Sequence, residues 1–259
     1  MNKNLKIIRA FIFDLDGTLY LGNKTIDGAI ELINFLKQKN KKTVFFTNNS
    51  NSSRNDVFDK LLKLGFDVLQ KEVYTSSYVT AVYLNSQKIS KVFVIGGEGL
   101  IQELKNKDII ISLDSEASTE AVVVGLDTSF DYKKLVVSLN FLRKGAQLIA
   151  SNLDANYPVE NGLLPACGPI VRAIESAAQV KSNFIVGKPE TYFLELMLHD
   201  LKLTKDEIVV IGDRYDSDIE MAKNMGCFSF LIGADRTEKD DVKRFESLLE
   251  FNAYLRSEI

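Results

Sequence analysis

The sequence predicts an α/β fold, a mostly parallel sheet with a second, smaller α/β unit inserted into it. Three observations predict this. Short apolar runs rich in Val, Ile and Phe stop abruptly at polar residues, as strands buried on both faces do. Helical patterns lie between those runs, and strand alternating with helix implies parallel neighbours. The middle of the chain has its own such alternation, after which the first pattern resumes.

In chain order, the run 7–13 is the first strand and delivers Asp14 and Asp16. Ala29, Ile30, Ile33, Phe35 and Leu36 are spaced as one helix face, and the strand at 43–46 then delivers Thr47, Asn48 and Asn49. Val57, Phe58, Leu61, Leu62 and Leu64 mark the next helix, closed by Gly65. The inserted unit has strands at 92–95, 121–124 and 148–150, with helices over 99–104, 132–142 and 169–178. Runs at 184–186, delivering Lys188, at 208–211, delivering Asp213, and at 228–232 complete the first sheet. The expected division is 1–77 and 182–259 for the core and 78–181 for the insert, a unit of about 100 residues and so an ordinary domain size. Ligands of open α/β sheets sit at the carboxyl ends of the strands, so four strands empty polar groups into one place.

Composition narrows the function. With 259 residues, 46% of them hydrophobic, the chain has ample material for a core. A formal charge of −3 gives no global attraction to a nucleic acid polymer or an anionic membrane. Cys167 and Cys227 form neither a metal motif nor a disulfide framework, which fits a reducing cytoplasm. The N-terminal apolar stretch reaches acid at Asp14 too soon for a signal peptide or membrane span. His199 is the only histidine and reads as a helix-surface residue, which argues against His-nucleophile and Ser-His-Asp chemistry. Lys37, Lys39, Lys41 and Lys42 sit where a helix ends, a favourable place for cations without any partner. Gly96, Gly97 and Gly99 lack the spacing and lysine-serine tail of a nucleotide-binding loop and read as a turn opening a helix.

Asp14-Leu15-Asp16-Gly17-Thr18 places two carboxylates two residues apart where a buried strand becomes a loop. Their repulsion calls for a cation, and Mg²⁺ is a hard, oxygen-seeking one. Phosphoryl transfer needs a nucleophile, neutralised oxygens and a proton for the leaving group. Asp14 is the candidate nucleophile, forming an aspartyl-phosphate, and Asp16 the acid that protonates the leaving alcohol and then activates water. Thr47 and Asn48 are candidate donors to the phosphoryl group, and Lys188 supplies a positive charge. Asp213 is the natural further magnesium ligand, with Asp218 a ligand or anchor beside it.

These segments, Asp14 to Tyr20, Thr47-Asn48-Asn49-Ser50, Gly187-Lys188-Pro189 and Gly212 to Asp218, resemble the four motifs of the haloacid dehalogenase superfamily. The resemblance implies a Rossmann-like core and the same roles, with Asp14, Asp16 through its backbone carbonyl, Asp213 and Asp218 at the metal. Asp14 and Thr47 are 33 positions apart, whereas Thr47 and Lys188 are 141 apart, so a cap belongs between the second and third motifs. That spacing is similar to the NagD-like branch of 4-nitrophenyl, pyridoxal phosphate, nucleotide and sugar phosphatases. Matches to it continue through 95–100, 124–127 and 151–154. The implied partner is a small phosphate ester. Asn49, Asn152 and Asp154 are candidate substrate-binding residues, although Asn152 and Asp154 read equally well as turn formers. Where the branch often has Pro-Gly-x-Gly, this chain has Pro165-Ala166-Cys167-Gly168, and the Ala166 methyl disfavours positive φ there. A dehalogenase would leave Asp16 and Asp213 without work, a phosphotransferase would use the same residues, and a binding module would have no need of all four motifs. The cap also leaves room for a homodimer.

Overall fold

The computed structural model describes residues 5–112, 118–159, 162–233 and 241–259. It divides into two compact units. One comprises the chain up to Thr47, Phe58–Tyr74 and everything from Lys188 on; the other comprises Asn48–Val57 and Thr75–Gly187. Among the described residues no helix is long and apolar enough to cross a membrane.

The first sheet has six strands in the order Lys243–Phe245, Phe228–Ile232, Ile208–Gly212, Ala10–Asp14, Lys42–Thr47, Val73–Thr75. Ala10–Asp14 runs parallel to both its neighbours, with Phe13 opposite Ile211 and Phe45. Every residue of Ala10–Asp14 and of Ile208–Gly212 is buried, which explains why these strands read as unbroken apolar runs rather than alternating ones. The helix Ala29–Gln38 buries Ala29, Leu32, Ile33, Phe35 and Leu36 at helical spacing. Towards one edge Phe230, Phe245 and Phe251 pack with ring centroids 5.0 to 5.6 Å apart, each buried ring stabilising the fold by roughly 1.5–3 kcal/mol.

The second unit holds a five-stranded sheet in the order Phe184–Ile185, Gln147–Ala150, Ala121–Val124, Lys91–Ile95, Ile110–Ile111, all parallel. Its core gathers Phe93, Ile95, Val122, Val124, Phe141 and Ile174, with the Phe93 and Phe141 rings 5.4 Å apart. Asn156–Val159 and Gly162–Pro165 form an antiparallel hairpin.

Two expectations need correction. The first strand begins at Ala10, not at residue 7, because Leu5–Ile7 is a single 3₁₀ turn whose last residue is exposed; Ile7 and Ile8 extend the apolar run in the sequence. Phe184–Ile185, expected in the first sheet, instead pairs with Gln147–Ala150 at the edge of the second. Asn183 fixes it there, its backbone N–H donating to Leu148 O and its side-chain oxygen accepting from Leu148 N, both at 2.7 Å. The Tyr83 ring stacks on Phe184 at 3.9 Å.

Candidate active site

Asp14 ends the central strand, and its register opposite Phe46 puts Thr47, the last residue of the next strand, at the same carboxyl edge. On the other side Asp213 follows Gly212 directly. Lys188 Nζ lies 2.5 Å from Asp14 Oδ1 and 2.6 Å from Asp218 Oδ1, and 4.5 Å from the Phe46 ring centroid. A residue with no role in the sequence reading, Thr18, is fully buried; its hydroxyl lies 3.1 Å from Asp213 Oδ1 and 3.4 Å from Asp14 Oδ2. Asp218 sits in a π-helical turn, Tyr215–Ile219, and its Oδ2 accepts from the Arg214 N–H at 3.1 Å. Such turns insert a residue into the helical ladder and so re-aim a side chain.

Two glycines make room for these carboxylates. Gly17 has φ +93°, and a Cβ there would overlap the Asp213 carboxylate; a Cβ on Gly212 would overlap that of Asp218.

Burial dominates the electrostatics. It pushes Asp14 up to about 7 against the pull of the Lys188 ammonium, with the Asp213 and Asp16 charges adding to the push. Asp218 rises to about 7 and Asp213 to about 6, again through burial first. Lys188 is held above the usual lysine range, because the Asp14 and Asp218 carboxylates outweigh its own desolvation. One lysine cannot balance three carboxylates. Asp14, Asp213 and Asp218 each offer an oxygen, all within 4.8 Å of one another, and this cluster of hard oxygen donors fits a divalent cation.

The Asp16 side chain stands outside that cluster. It is half-exposed, its Oδ2 accepting from Tyr20 Oη at 3.1 Å while Lys60 Nζ lies 4.0 Å from Oδ1. Burial raises its carboxyl above the ordinary value, as a proton donor requires.

The remaining candidates belong to the second unit. Asn48 Nδ2 donates to both carboxylate oxygens of Asp154 at 3.1 Å. Asn152 is buried, with Nδ2 donating to Asn48 O at 2.7 Å and Oδ1 accepting from Asp154 N at 3.1 Å. Gly187 packs so closely on Asn48 and Asn152 that a Cβ would come within 2.6 Å of each. The Asn49 side-chain oxygen accepts from the N–H groups of Asn51 and Ser52, an Asx turn. Ala166 is extended at φ −95°, so its methyl is unstrained; it is Gly168 that no side chain could replace, with Leu153 O 2.5 Å from a would-be Cβ.

The features set aside in the sequence have local contacts of their own. Gly97 precedes the helix Glu98–Lys105, and a Cβ on Gly97 or Gly99 would strike the loop at 51–53. Lys37, Lys39, Lys41 and Lys42 donate to the backbone carbonyls of Asp67, Ile259, Lys6, Ile8 and Leu201. His199 is exposed on the helix Tyr192–Leu201.

Comparison with known proteins agrees with this architecture. A model described as haloacid dehalogenase-like hydrolase matches residues 11–110, and a second HAD-hydrolase-like model matches 185–252. An acid sugar phosphatase of Staphylococcus haemolyticus is 34% identical over 92% of this chain and 90% of its own length. One from Staphylococcus aureus is 35% identical over 92% of each. Among solved structures, a 4-nitrophenylphosphatase from Thermotoga maritima superposes with a TM-score of 0.90 at 31% identity, covering 97% of this chain and 99% of that one. A p-nitrophenyl phosphatase from Archaeoglobus fulgidus gives 0.89 at 29% identity, covering 95% and 99%. Matched along nearly its whole length, the chain belongs to the haloacid dehalogenase-like hydrolase family.

Proposed function

We propose that the protein is a magnesium-dependent phosphatase that hydrolyses a small phosphomonoester, a sugar phosphate, nucleotide, pyridoxal phosphate or similar, through an aspartyl-phosphate, with aryl phosphates accepted in vitro. The observation that carries this reading is the Asp14 carboxylate at the carboxyl edge of the sheet, one oxygen on Lys188, beside Asp213 and Asp218. The names of the relatives, acid sugar phosphatase and 4-nitrophenylphosphatase, support phosphate esters as the substrate class and favour sugar phosphates.

In this reading the Asp14 oxygen not taken by Lys188 attacks phosphorus, and the bond from phosphorus to the leaving oxygen breaks as the new one forms. Asp16 gives its proton to the leaving oxygen. The resulting carboxylate then takes a proton from water, whose oxygen attacks phosphorus, releasing inorganic phosphate and restoring Asp14. Lys188 offsets charge on the phosphoryl oxygens, and Thr47 and Asn48 are the proposed donors to them. Asp14, Asp213, Asp218 and the Asp16 backbone carbonyl would hold Mg²⁺, which when bound neutralises the carboxylates and the phosphoryl charge. The unit of the six-stranded sheet acts as the catalytic core and the inserted unit as a cap, with Asn49, Asn152 and Asp154 on the substrate side.

The test is a phosphate-release screen over sugar, nucleotide, pyridoxal and aryl phosphates, with Mg²⁺ and with a chelator. Turnover that needs Mg²⁺ and is fastest on sugar phosphates is expected. Turnover indifferent to chelation, or no phosphate release from any ester, would overturn the reading.

A further inference from the structure

Tyr20 and Lys60 have no assigned part in the chemistry, yet both are aimed at Asp16. We propose that Tyr20, steadied by Lys60, is a positioning residue for the Asp16 carboxyl: it occupies Oδ2 and leaves Oδ1 as the oxygen that handles the proton. The inference rests on the acid role proposed for Asp16.

A general acid must be placed within hydrogen-bond reach of the oxygen it serves, and a half-exposed carboxyl with no partner would spread over several rotamers. Here the loop closes on itself. The Gly17 N–H donates to Tyr20 O at 2.8 Å, so the chain returns to Asp16 four residues after leaving it. The Tyr20 ring is packed in the core at 2% exposure, and its hydroxyl donates to Asp16 Oδ2 at 3.1 Å. Core packing explains the ring but not the hydroxyl, since phenylalanine would fill the same space.

Lys60, on the helix Arg54–Lys63, makes two contacts of a different kind. Its ammonium lies 3.8 Å from the Tyr20 ring centroid, a cation–π arrangement that pins the ring. It also lies 4.0 Å from Asp16 Oδ1, close enough to attract and too far for a hydrogen bond. Among the described residues, then, Oδ2 has a donor and Oδ1 has none. That asymmetry suits a group that must give and take a proton through one oxygen while the other holds it still.

Tyr20→Phe keeps the ring and its cation–π contact and removes only the hydroxyl. The readout is kcat/KM with Mg²⁺ for an alkyl phosphate and for 4-nitrophenyl phosphate, because kcat/KM reports the steps up to departure of the leaving group and a good leaving group needs no proton. Expected is a loss on the order of 10-fold to 100-fold for the alkyl ester, the scale of a misplaced catalytic group, with the aryl ester little changed. Lys60→Gln, a change nearer the surface, should give the same bias more weakly and serves if Tyr20→Phe fails to fold. Asp16→Asn, run alongside, separates the two levels of the reading. Equal losses on both esters in Asp16→Asn would overturn its acid role and the inference with it. A bias in Asp16→Asn, with Tyr20→Phe either like the wild type or equally slow on both esters, would overturn the inference alone.

Discussion

At the residue scale the site is a set of carboxylates in surroundings that resist their charge, and the small polar residues around them decide whether a cation can use them. Thr18 is the clearest case. Its hydroxyl lies between Asp213 and Asp14, so Thr18→Val, similar in shape and without the hydroxyl, should weaken Mg²⁺ binding about 10-fold to 100-fold by titration calorimetry, the usual effect of losing a partner of metal ligands. Unchanged affinity would show the hydroxyl to be idle. Asp14, Asp16, Thr47, Lys188 and Asp213 could be singled out because each comes within three residues of the end of an apolar run, and Asp218 because it lies five residues beyond Asp213. Thr18 was not, since a threonine after Asp-Gly reads as a turn residue until its burial is known. Asn152 and Asp154 read as either turn formers or substrate contacts, and their hydrogen bonds run to each other and to Asn48. A contact at that sequence distance has no local signature.

At the element scale, strands buried on both faces announced themselves. Lys42–Thr47 and Ile208–Gly212 fall where their apolar runs fall, Ala10–Asp14 begins three residues into its own, and their parallel register brings three motif segments to one edge. Shorter elements were harder. Val73–Thr75 and Lys243–Phe245 have three residues each, too few for a period; the run at 184–186 reads as a strand, but the sheet that Phe184–Ile185 joins is set by pairing with Leu148 through Asn183. The π-helical turn carrying Asp218 was equally invisible; in it the Asp218 carboxylate accepts from the Arg214 N–H and packs against Gly212, contacts with no periodic signature.

At the scale of the whole molecule, a site built from buried acids ties folding to pH and metal. Asp213 at about 6, and Asp14 and Asp218 at about 7, bind protons more tightly folded than at the ordinary 3.8 of the unfolded chain. Their contribution to stability is therefore fully present below about 3.8 and is lost as pH rises through about 6 to 7. A cation reverses this, because it binds the ionised ligands and must displace their protons. The rise in melting temperature on adding Mg²⁺ should therefore be small at pH about 5 and grow through that window; a shift independent of pH would contradict the assignment. The claim on which the rest depends is that Asp14 itself takes the phosphoryl group. It is tested most directly by quenching the enzyme during turnover of a phosphorus-labelled aryl phosphate and mapping the labelled peptide. Label on Asp14 is predicted, together with a loss of turnover on the order of 10⁴-fold or more in Asp14→Asn. An Asp14→Asn variant that still hydrolyses the ester at the wild-type rate, or label found on any other residue, would contradict it.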